Sequence, residues 1–181
     1  MQHTFAVYVE DKPGVLNRVA SLFRRRVFNI ESLTVGHTET PGVSRMTILV
    51  ETDQHGARRL EANLYKLVNV LRVEDITAGP AVFRELAMIK VATTPESRLQ
   101  VMQLGDVFRA RVVDVAPDSI ILETTGTEDK IDGLLEVLRP YGILEIVRTG
   151  RVGMMRGLRG VATESTPTDR GADDQDVSYS V

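Results

Sequence analysis

Near the start of the sequence, two contrasting patterns meet at Asp11-Lys12-Pro13-Gly14-Val15-Leu16. Before this segment, apolar residues at positions 5, 7 and 9 alternate with other residues, which indicates a strand. After it, apolar residues recur at helical spacing up to Phe23, and Arg24-Arg25-Arg26 provides the cations that favour a helix C-terminus. Asp is a good helix N-cap and Pro suits a first helical turn, so the segment predicts a strand that turns directly into a helix.

The rest of the chain extends this beginning into two units with the same order, strand-helix-strand-strand-helix-strand. In the first unit, strands are predicted at 5–9, 28–35, 44–51 and 70–76, and the second helix over 57–68. Thr77-Ala78-Gly79-Pro80 breaks the pattern. In the second unit, strands are predicted at 83–92, 111–115, 119–124 and 143–148, and helices at 95–108 and 127–138.

This order predicts an α+β fold with two tandem ferredoxin-like (βαββαβ) domains, over residues 1–78 and 79–160. Residues 161–181 differ in composition, because they hold one arginine, five acidic residues and few large apolar side chains. Such a segment buries too little apolar surface to offset its ordering entropy, so a disordered acidic tail is predicted. A role as an acidic docking segment is the alternative interpretation.

The composition fits a globular protein and excludes several kinds of site. Of the 181 residues, 43% are hydrophobic and 26% are charged, as in ordinary globular domains. The absence of cysteine excludes disulfides, thiolate metal sites and a cysteine nucleophile. A net charge of −3 provides no basic surface for nucleic acid. Neither a membrane-spanning apolar run nor a signal peptide is recognised, so a cytoplasmic protein is expected.

No catalytic motif is found, and the sequence favours a binding protein over an enzyme. The three histidines, at positions 3, 37 and 55, lack the spacing of metal ligands, so no metal site is predicted. Glu10, Asp11 and Glu31 would be neighbours if the first two strands came together, but nothing indicates a carboxylate pair with a raised pKa. General acid–base catalysis is therefore unsupported.

The chemistry of the segment from Asp11 to Leu16 suits a zwitterionic amino acid. Gly14 lets a ligand approach the backbone closely, and the free N–H groups of the following helix favour a carboxylate. Asp11 could accept a hydrogen bond from a ligand ammonium group. A plain cap and turn explains the same residues, and the spacing alone leaves both interpretations open.

The strand order and this turn resemble an ACT domain, a family of amino-acid sensors. Longer motifs are similar to the small, regulatory subunit of acetohydroxyacid synthase, also called acetolactate synthase. These motifs are, in chain order, Asn29–Val35, Ser44–Ile48, Lys66–Val73, Arg84–Val91 and Arg148–Gly150. The resemblance runs from about residue 2 to residue 160 and makes the first unit the ACT domain.

The resemblance implies a non-catalytic subunit of a transferase. It would activate a catalytic subunit that condenses 2-oxo acids in branched-chain amino-acid biosynthesis, and it would confer feedback inhibition by valine or another branched-chain amino acid. Thiamine diphosphate, Mg²⁺ and FAD are expected on the catalytic subunit, and no cofactor in this chain. The expected partners are a second copy of the chain through its ACT domain, the catalytic large subunit, and valine, leucine or isoleucine; nucleic acid and membrane are not expected.

The resemblance also implies an effector site between two ACT domains of a dimer. Asp11 would hold the ammonium group, backbone N–H groups near Gly14 would hold the carboxylate, and Asn29 of the partner would add an amide. An apolar wall would come from the second strand, in which alternation places Ile30 on the face opposite to its neighbours in the wall. The candidate site residues are Asp11, Pro13, Gly14, Val15, Leu16, Asn29, Ile30, Leu33 and Val35.

Three other functions are considered. An RNA-binding RRM shares the βαββαβ order, but the third strand has no aromatic residue for base stacking. A free-standing ACT-type regulator of another enzyme or of transcription is the main alternative. A small enzyme using Asp11 and Glu31 is the third. The basic segment 148–159 is a candidate contact for the catalytic subunit, or else a flexible chain end.

Overall fold

The structure is a computed structural model, and it describes residues 1–157. These residues form two βαββαβ units, which confirms the predicted α+β fold of two tandem ferredoxin-like domains. The predicted disordered tail, 161–181, lies outside the described residues. The domain boundaries at residues 78 and 160 stay predictions, although one unit's last strand ends at Asp75 and the next strand begins at Ala81.

The first unit is a four-stranded antiparallel sheet with two helices on one face. Its elements are β1 (Gln2–Glu10), α1 (Val15–Arg25), β2 (Ile30–His37), β3 (Val43–Glu51), α2 (Gln54–Leu64) and β4 (Val70–Asp75). The strand order is β2-β3-β1-β4, so β2 is an edge strand. Phe5, Val7 and Val9 of the central strand alternate toward the helices and are buried against the apolar stripes of α1 and α2.

The second unit repeats this arrangement and adds one strand. Its elements are β5 (Ala81–Ala92), α3 (Arg98–Val107), β6 (Arg111–Val115), β7 (Ser119–Gly126), α4 (Glu128–Leu138), β8 (Ile143–Arg148) and β9 (Val152–Met155). The strand order is β6-β7-β5-β8, and β9 also pairs with β5. Four residues with a central glycine carry too little local signal to predict β9. The strand forms because β5 is long enough to pair with both β8 and β9.

A bulge in β2 overturns the expectation for Ile30. Ile30 pairs with Val50 and Ser32 pairs with Leu49, so Glu31 is an extra residue that changes the alternation. Directly paired residues point to the same face, and the partners of Ile30, Leu33 and Val35 all belong to the helix-covered core. The three side chains therefore share one face, whereas plain alternation separates Ile30 from the other two.

The opposite face of the first sheet is covered by the chain itself. Ala6, Thr47 and Leu49 point away from the helices, yet they are buried. The ribbon formed by β9 and the start of β5 lies over this face, where the Arg45 guanidinium donates to the carbonyl oxygen of Gly153 at 2.5 Å. The sheet face on which an RRM would stack bases is thus occupied by protein. None of the helices within residues 1–157 is long and apolar enough to span a membrane.

Candidate functional site

The candidate site begins at the turn between β1 and α1. Gly14 occupies the helix N-cap position with φ of 84°, a left-handed conformation that favours glycine, and the space around its Cα is open. The prediction that Asp11 caps the helix and Pro13 enters its first turn is wrong, because the helix begins only at Val15 and no side chain caps it.

Asp11 is held by the β2–β3 hairpin instead. Its backbone N–H donates to the Gly42 carbonyl at 2.8 Å, and its carboxylate accepts a hydrogen bond from the Ser44 hydroxyl at 3.2 Å. The other carboxylate oxygen lies 3.3 Å from Nδ1 of His37. The Asp11 side chain nevertheless remains 46% exposed, so the carboxylate is positioned and still accessible to a ligand. Sequence reasoning missed His37 and Ser44, because their approach depends on strand pairing.

The first turn of α1 offers backbone donors to the same region. Within residues 1–157, no protein acceptor is found for the N–H groups of Gly14, Leu16 and Asn17. The N–H of Val15 is already used, since it donates to Lys12 O at 3.3 Å, and the Val15 side chain is buried in the core. Unpaired N–H groups at a helix N-terminus favour an anion. The turn therefore presents a carboxylate acceptor and backbone donors side by side.

Asn69 supports the turn from β4's side of the sheet. Its buried side chain donates to Glu10 Oε2 at 2.5 Å and accepts from the Arg18 guanidinium. The hydrogen bond from Asn69, followed by that from Lys12, holds the pKa of Glu10 below its ordinary value. Asn69 is a third residue that sequence analysis did not single out. It links the end of β1 to the first turns of α1, which fixes the shape of the turn between them.

The apolar candidates are spread along β2. Val35 lies two residues before His37, whose Nδ1 contacts Asp11, and the residue is 44% exposed. Leu33 and Ile30 pack against the helix-covered core and are half-buried. Leu16, next to the turn, is 43% exposed. The exposed apolar surface beside the turn thus comes from Leu16 and Val35 in this chain.

Asn29 and Ile30 lie at the opposite end of the sheet from Asp11. Ile30 is paired with Val50, whereas Asp11 follows a residue paired with Val43. Seven residues of β3 separate these two levels, which is about 23 Å along a strand. Asn29 is exposed and donates to Glu31 Oε1 at 2.7 Å. One chain therefore holds Asp11, Pro13, Gly14 and Leu16 in one turn, with Val35 toward the same end of the sheet, but does not bring Asn29 or Ile30 to them.

The same separation argues against catalysis by Asp11 and Glu31. Glu31 is the bulged residue beside Asn29, at the far end of the sheet from Asp11, so the two carboxylates cannot form a dyad in one chain. Among the described residues, no group of three or more His, Asp or Glu side chains is arranged to hold a metal ion.

Comparison with protein families divides the chain as the two sheets do. Residues 5–72 match the model of the ACT domain of acetohydroxyacid synthase small subunits. Residues 84–157 match the family described as the small subunit of acetolactate synthase. Together the two matches span nearly all the described residues.

Individual relatives and a solved structure agree with these matches. A "Probable acetolactate synthase small subunit" of Archaeoglobus fulgidus is 53% identical over 157 residues, which are 87% of this chain and 98% of that protein. The acetolactate synthase small subunit of Mycobacterium bovis is 49% identical over 161 residues, 89% of this chain and 96% of the relative. The crystal structure of the small subunit from Thermotoga maritima superposes with a TM-score of 0.81 at 40% identity, covering 87% of this chain and 98% of that one.

Proposed function

Because the chain belongs to the acetolactate synthase small-subunit family, we propose that it is the non-catalytic regulatory subunit of that transferase. It binds the catalytic large subunit, raises its activity, and makes it sensitive to valine or another branched-chain amino acid. The thiamine diphosphate, Mg²⁺ and FAD of the reaction belong to the catalytic subunit. This chain contributes binding and regulation.

The proposal rests on one turn that holds both an exposed carboxylate and backbone N–H groups without a protein acceptor. The Asp11 carboxylate is fixed by Ser44 yet exposed, and it accepts hydrogen bonds from the effector's ammonium group. The N–H groups of Gly14, Leu16 and Asn17 receive its carboxylate at the helix N-terminus. The exposed Leu16 and Val35 offer apolar contacts to a branched side chain.

A two-fold dimer completes this site. β2 is an edge strand of eight residues, and no strand within residues 1–157 pairs with its outer side, which a second copy can therefore approach. Antiparallel pairing of two such strands about a two-fold axis sets Ile30 of the partner subunit opposite His37. The partner's Asn29 then lies next to Asp11. Within one chain, Asn29 and Asp11 are about 23 Å apart along the sheet. Each dimer holds two equivalent sites.

The test is a series of substitutions at Gly14, read by calorimetric titration with L-valine and by valine inhibition of the reconstituted enzyme. Gly14→Asp places a carboxylate where the effector carboxylate binds. Gly14→Asn has nearly the same shape and tolerates the left-handed backbone, but it adds no charge. We expect valine affinity at least about tenfold weaker for Gly14→Asp than for Gly14→Asn, because like charges in close contact repel strongly.

Gly157→Asp is the matched control. Gly157 also has a positive φ, 71°, and open space around it, and it follows Arg156, whose backbone N–H donates to Pro80 O rather than to the turn. This variant should keep the wild-type response to valine. Equal valine affinity in Gly14→Asp and Gly14→Asn would show that the effector carboxylate does not bind at this turn. Binding of D-valine as strong as that of L-valine would show that no specific effector site exists.

A further inference from the structure

The chain bends between β8 and β9, at one of the places where the two units touch. Both strands pair with β5, and Ala87 pairs with Arg148 while Arg84 pairs with Val152. Two residues of β5 therefore lie opposite three residues of the other side, Thr149, Gly150 and Arg151. The extra residue makes a bulge, and Gly150 has a φ of 81° that favours glycine. We call residues 149–151 the bulge segment.

The bulge segment touches β2 of the first unit. The Thr34 hydroxyl donates to Thr149 O at 3.2 Å, and the Arg151 backbone N–H donates to the Ser32 hydroxyl at 3.2 Å. A Cβ on Gly150 would lie 2.0 Å from Ser32 Oγ and 3.1 Å from Ser32 Cβ. Only glycine allows this contact, because a larger residue would push the bulge segment away from β2.

These contacts lie directly behind the proposed effector wall. Ser32 and Thr34 alternate along β2 with Leu33 and Val35, so the hydroxyls point to one face and the apolar side chains to the other. A shift of β2 that changes the position of Val35 must also move Thr34, because the two residues are consecutive in one strand. A movement of β2 at Leu33 and Val35 is therefore transmitted to the contacts that Ser32 and Thr34 make with the bulge segment.

On its other side, the bulge segment is fixed to the second unit. The Arg148 guanidinium, which precedes the segment, makes two hydrogen bonds to Glu85, at 2.7 and 2.8 Å, and one to Asp132 of α4 at 2.8 Å. Arg151 pairs with Glu128 in the first turn of α4 and reaches Gln2 of β1 at 3.2 Å. A displacement of the bulge segment therefore acts on α4 through two ion pairs.

A polar cleft leaves room for such a displacement. It has a volume of about 420 Å³, and it lies between the units, with Ser32, Leu49, Glu85 and Arg151 among its lining residues. The interface between the units is therefore loosely filled beside the contact, whereas the two sheet interiors are tightly packed. The bulge segment therefore has free space beside its contact with β2.

We propose that the bulge segment relays effector binding from β2 of the first unit to the second unit. This inference rests on the proposed function, since it concerns regulation by the effector at Asp11 and Gly14. When the effector fixes β2, the hydroxyl contacts of Ser32 and Thr34 favour one position of the bulge segment and of α4. The size of the effect equals the difference in effector affinity between the two positions.

The experiment compares binding with inhibition in the enzyme reconstituted from this chain and its catalytic subunit. Ser32→Ala combined with Thr34→Val removes both hydroxyl contacts and keeps the strand, and Gly150→Ala displaces the bulge segment. Gly36→Ala is the control, since Gly36 lies on the same strand with open space around it and no positive φ. L-Valine binding is measured by calorimetry, and activity is measured without valine and at saturating valine.

We expect both contact variants to bind valine nearly as the wild type does and to activate the catalytic subunit. The inhibition by saturating valine should fall, with the effect of valine reduced about fivefold or more, while Gly36→Ala behaves as the wild type. Full inhibition in both contact variants would overturn the relay and leave the effector site intact. Loss of valine binding in the contact variants would also overturn the relay, because it would show that the contact between β2 and the bulge segment is part of the effector site. No valine response in the wild type would instead remove the proposed function itself.

Discussion

Val27 shows how a single residue departs from the local rules of this fold. It follows the last turn of α1 with a φ of 60°, in the left-handed region, and its side chain is 91% exposed. This position after a helix usually holds glycine or asparagine, because a β-branched side chain clashes there with the backbone. The strain lies two residues before Asn29.

Val27→Gly should therefore stabilise the protein. Relief of the left-handed strain exceeds the entropic cost of glycine, so the free energy of unfolding should rise by about 0.5–1 kcal/mol. Urea unfolding followed by circular dichroism measures this change. Val68→Gly is the control, since Val68 is 92% exposed and has no positive φ. A destabilised Val27→Gly variant would show that the strain is absent in solution.

Asn69 should control the ionisation of Glu10. Its hydrogen bond is the main cause of the lowered pKa of Glu10, so Asn69→Ala should raise that pKa toward the ordinary value of 4.5. A lowered pKa in the folded state means that the ionised group adds stability above the unfolded pKa, and this stability is lost as the pH falls through the folded pKa. Titration of Glu10 by NMR measures the shift. Asn63→Ala, which removes a contact to Arg26 instead, should leave the Glu10 pKa unchanged.

At the level of single residues, the sequence indicated the chemistry of the turn better than its geometry. Asp11 and Gly14 were singled out correctly as neighbours, since both lie within one short turn. The prediction that Asp11 caps the helix was wrong because Ser44, His37 and Gly42 hold this residue, and all three come from the hairpin. Contacts from distant strands leave no local signal in the sequence.

Among the elements, the periodic segments were predictable and the irregular ones were not. The helices and long strands appear near their predicted positions, since their apolar spacing is strong. The bulge at Glu31 and the strand β9 were missed, because both depend on the register of a paired strand. The bulge is also the reason that Ile30 shares a face with Leu33.

A buried ion pair joins two neighbouring strands of the second unit. Glu85 of β5 is only 6% exposed, and its carboxylate accepts two hydrogen bonds from Arg148 of β8. The hydrogen bonds that Arg148 donates to Glu85 raise the pKa of Arg148 above its ordinary value; burial opposes this rise and Asp132 adds to it. The pair joins two strands at the point where the sheet turns into the bulge segment.

Arg148→Met should destabilise the second unit by about 2–4 kcal/mol, because it leaves the Glu85 carboxylate buried without its partner. The control is Arg111→Met, which removes a pair to Glu123 whose arginine side chain is 77% exposed and should cost less than about 1 kcal/mol. Urea unfolding measures both. The double variant Glu85→Leu with Arg148→Met should recover most of the loss. An equal loss of unfolding free energy in Arg148→Met and Arg111→Met would contradict the importance of the buried pair.

On the scale of the whole molecule, one chain places the two groups of candidate effector residues at opposite ends of a sheet. The turn at Asp11 and Gly14 is at one end, and Asn29 and Ile30 are at the other. The family resemblance implies a site shared between two chains, and the strand register agrees with this proposal because one chain does not bring the two groups together. The edge position of β2 supplies the surface through which a second copy can complete it.

Complementation between two inactive variants tests this shared site most directly. Gly14→Asp damages the turn, and Asn29→Leu damages the half contributed by the partner, so each variant alone should fail to bind L-valine. In a mixed dimer, one of the two sites combines the intact turn of one chain with the intact Asn29 of the other. Refolding the variants together should restore valine binding to about one quarter of the wild-type sites, as calorimetry would measure, because half of the dimers are mixed. No recovered binding in the mixture, with mixed dimers confirmed by mass spectrometry, would contradict a site shared between two chains.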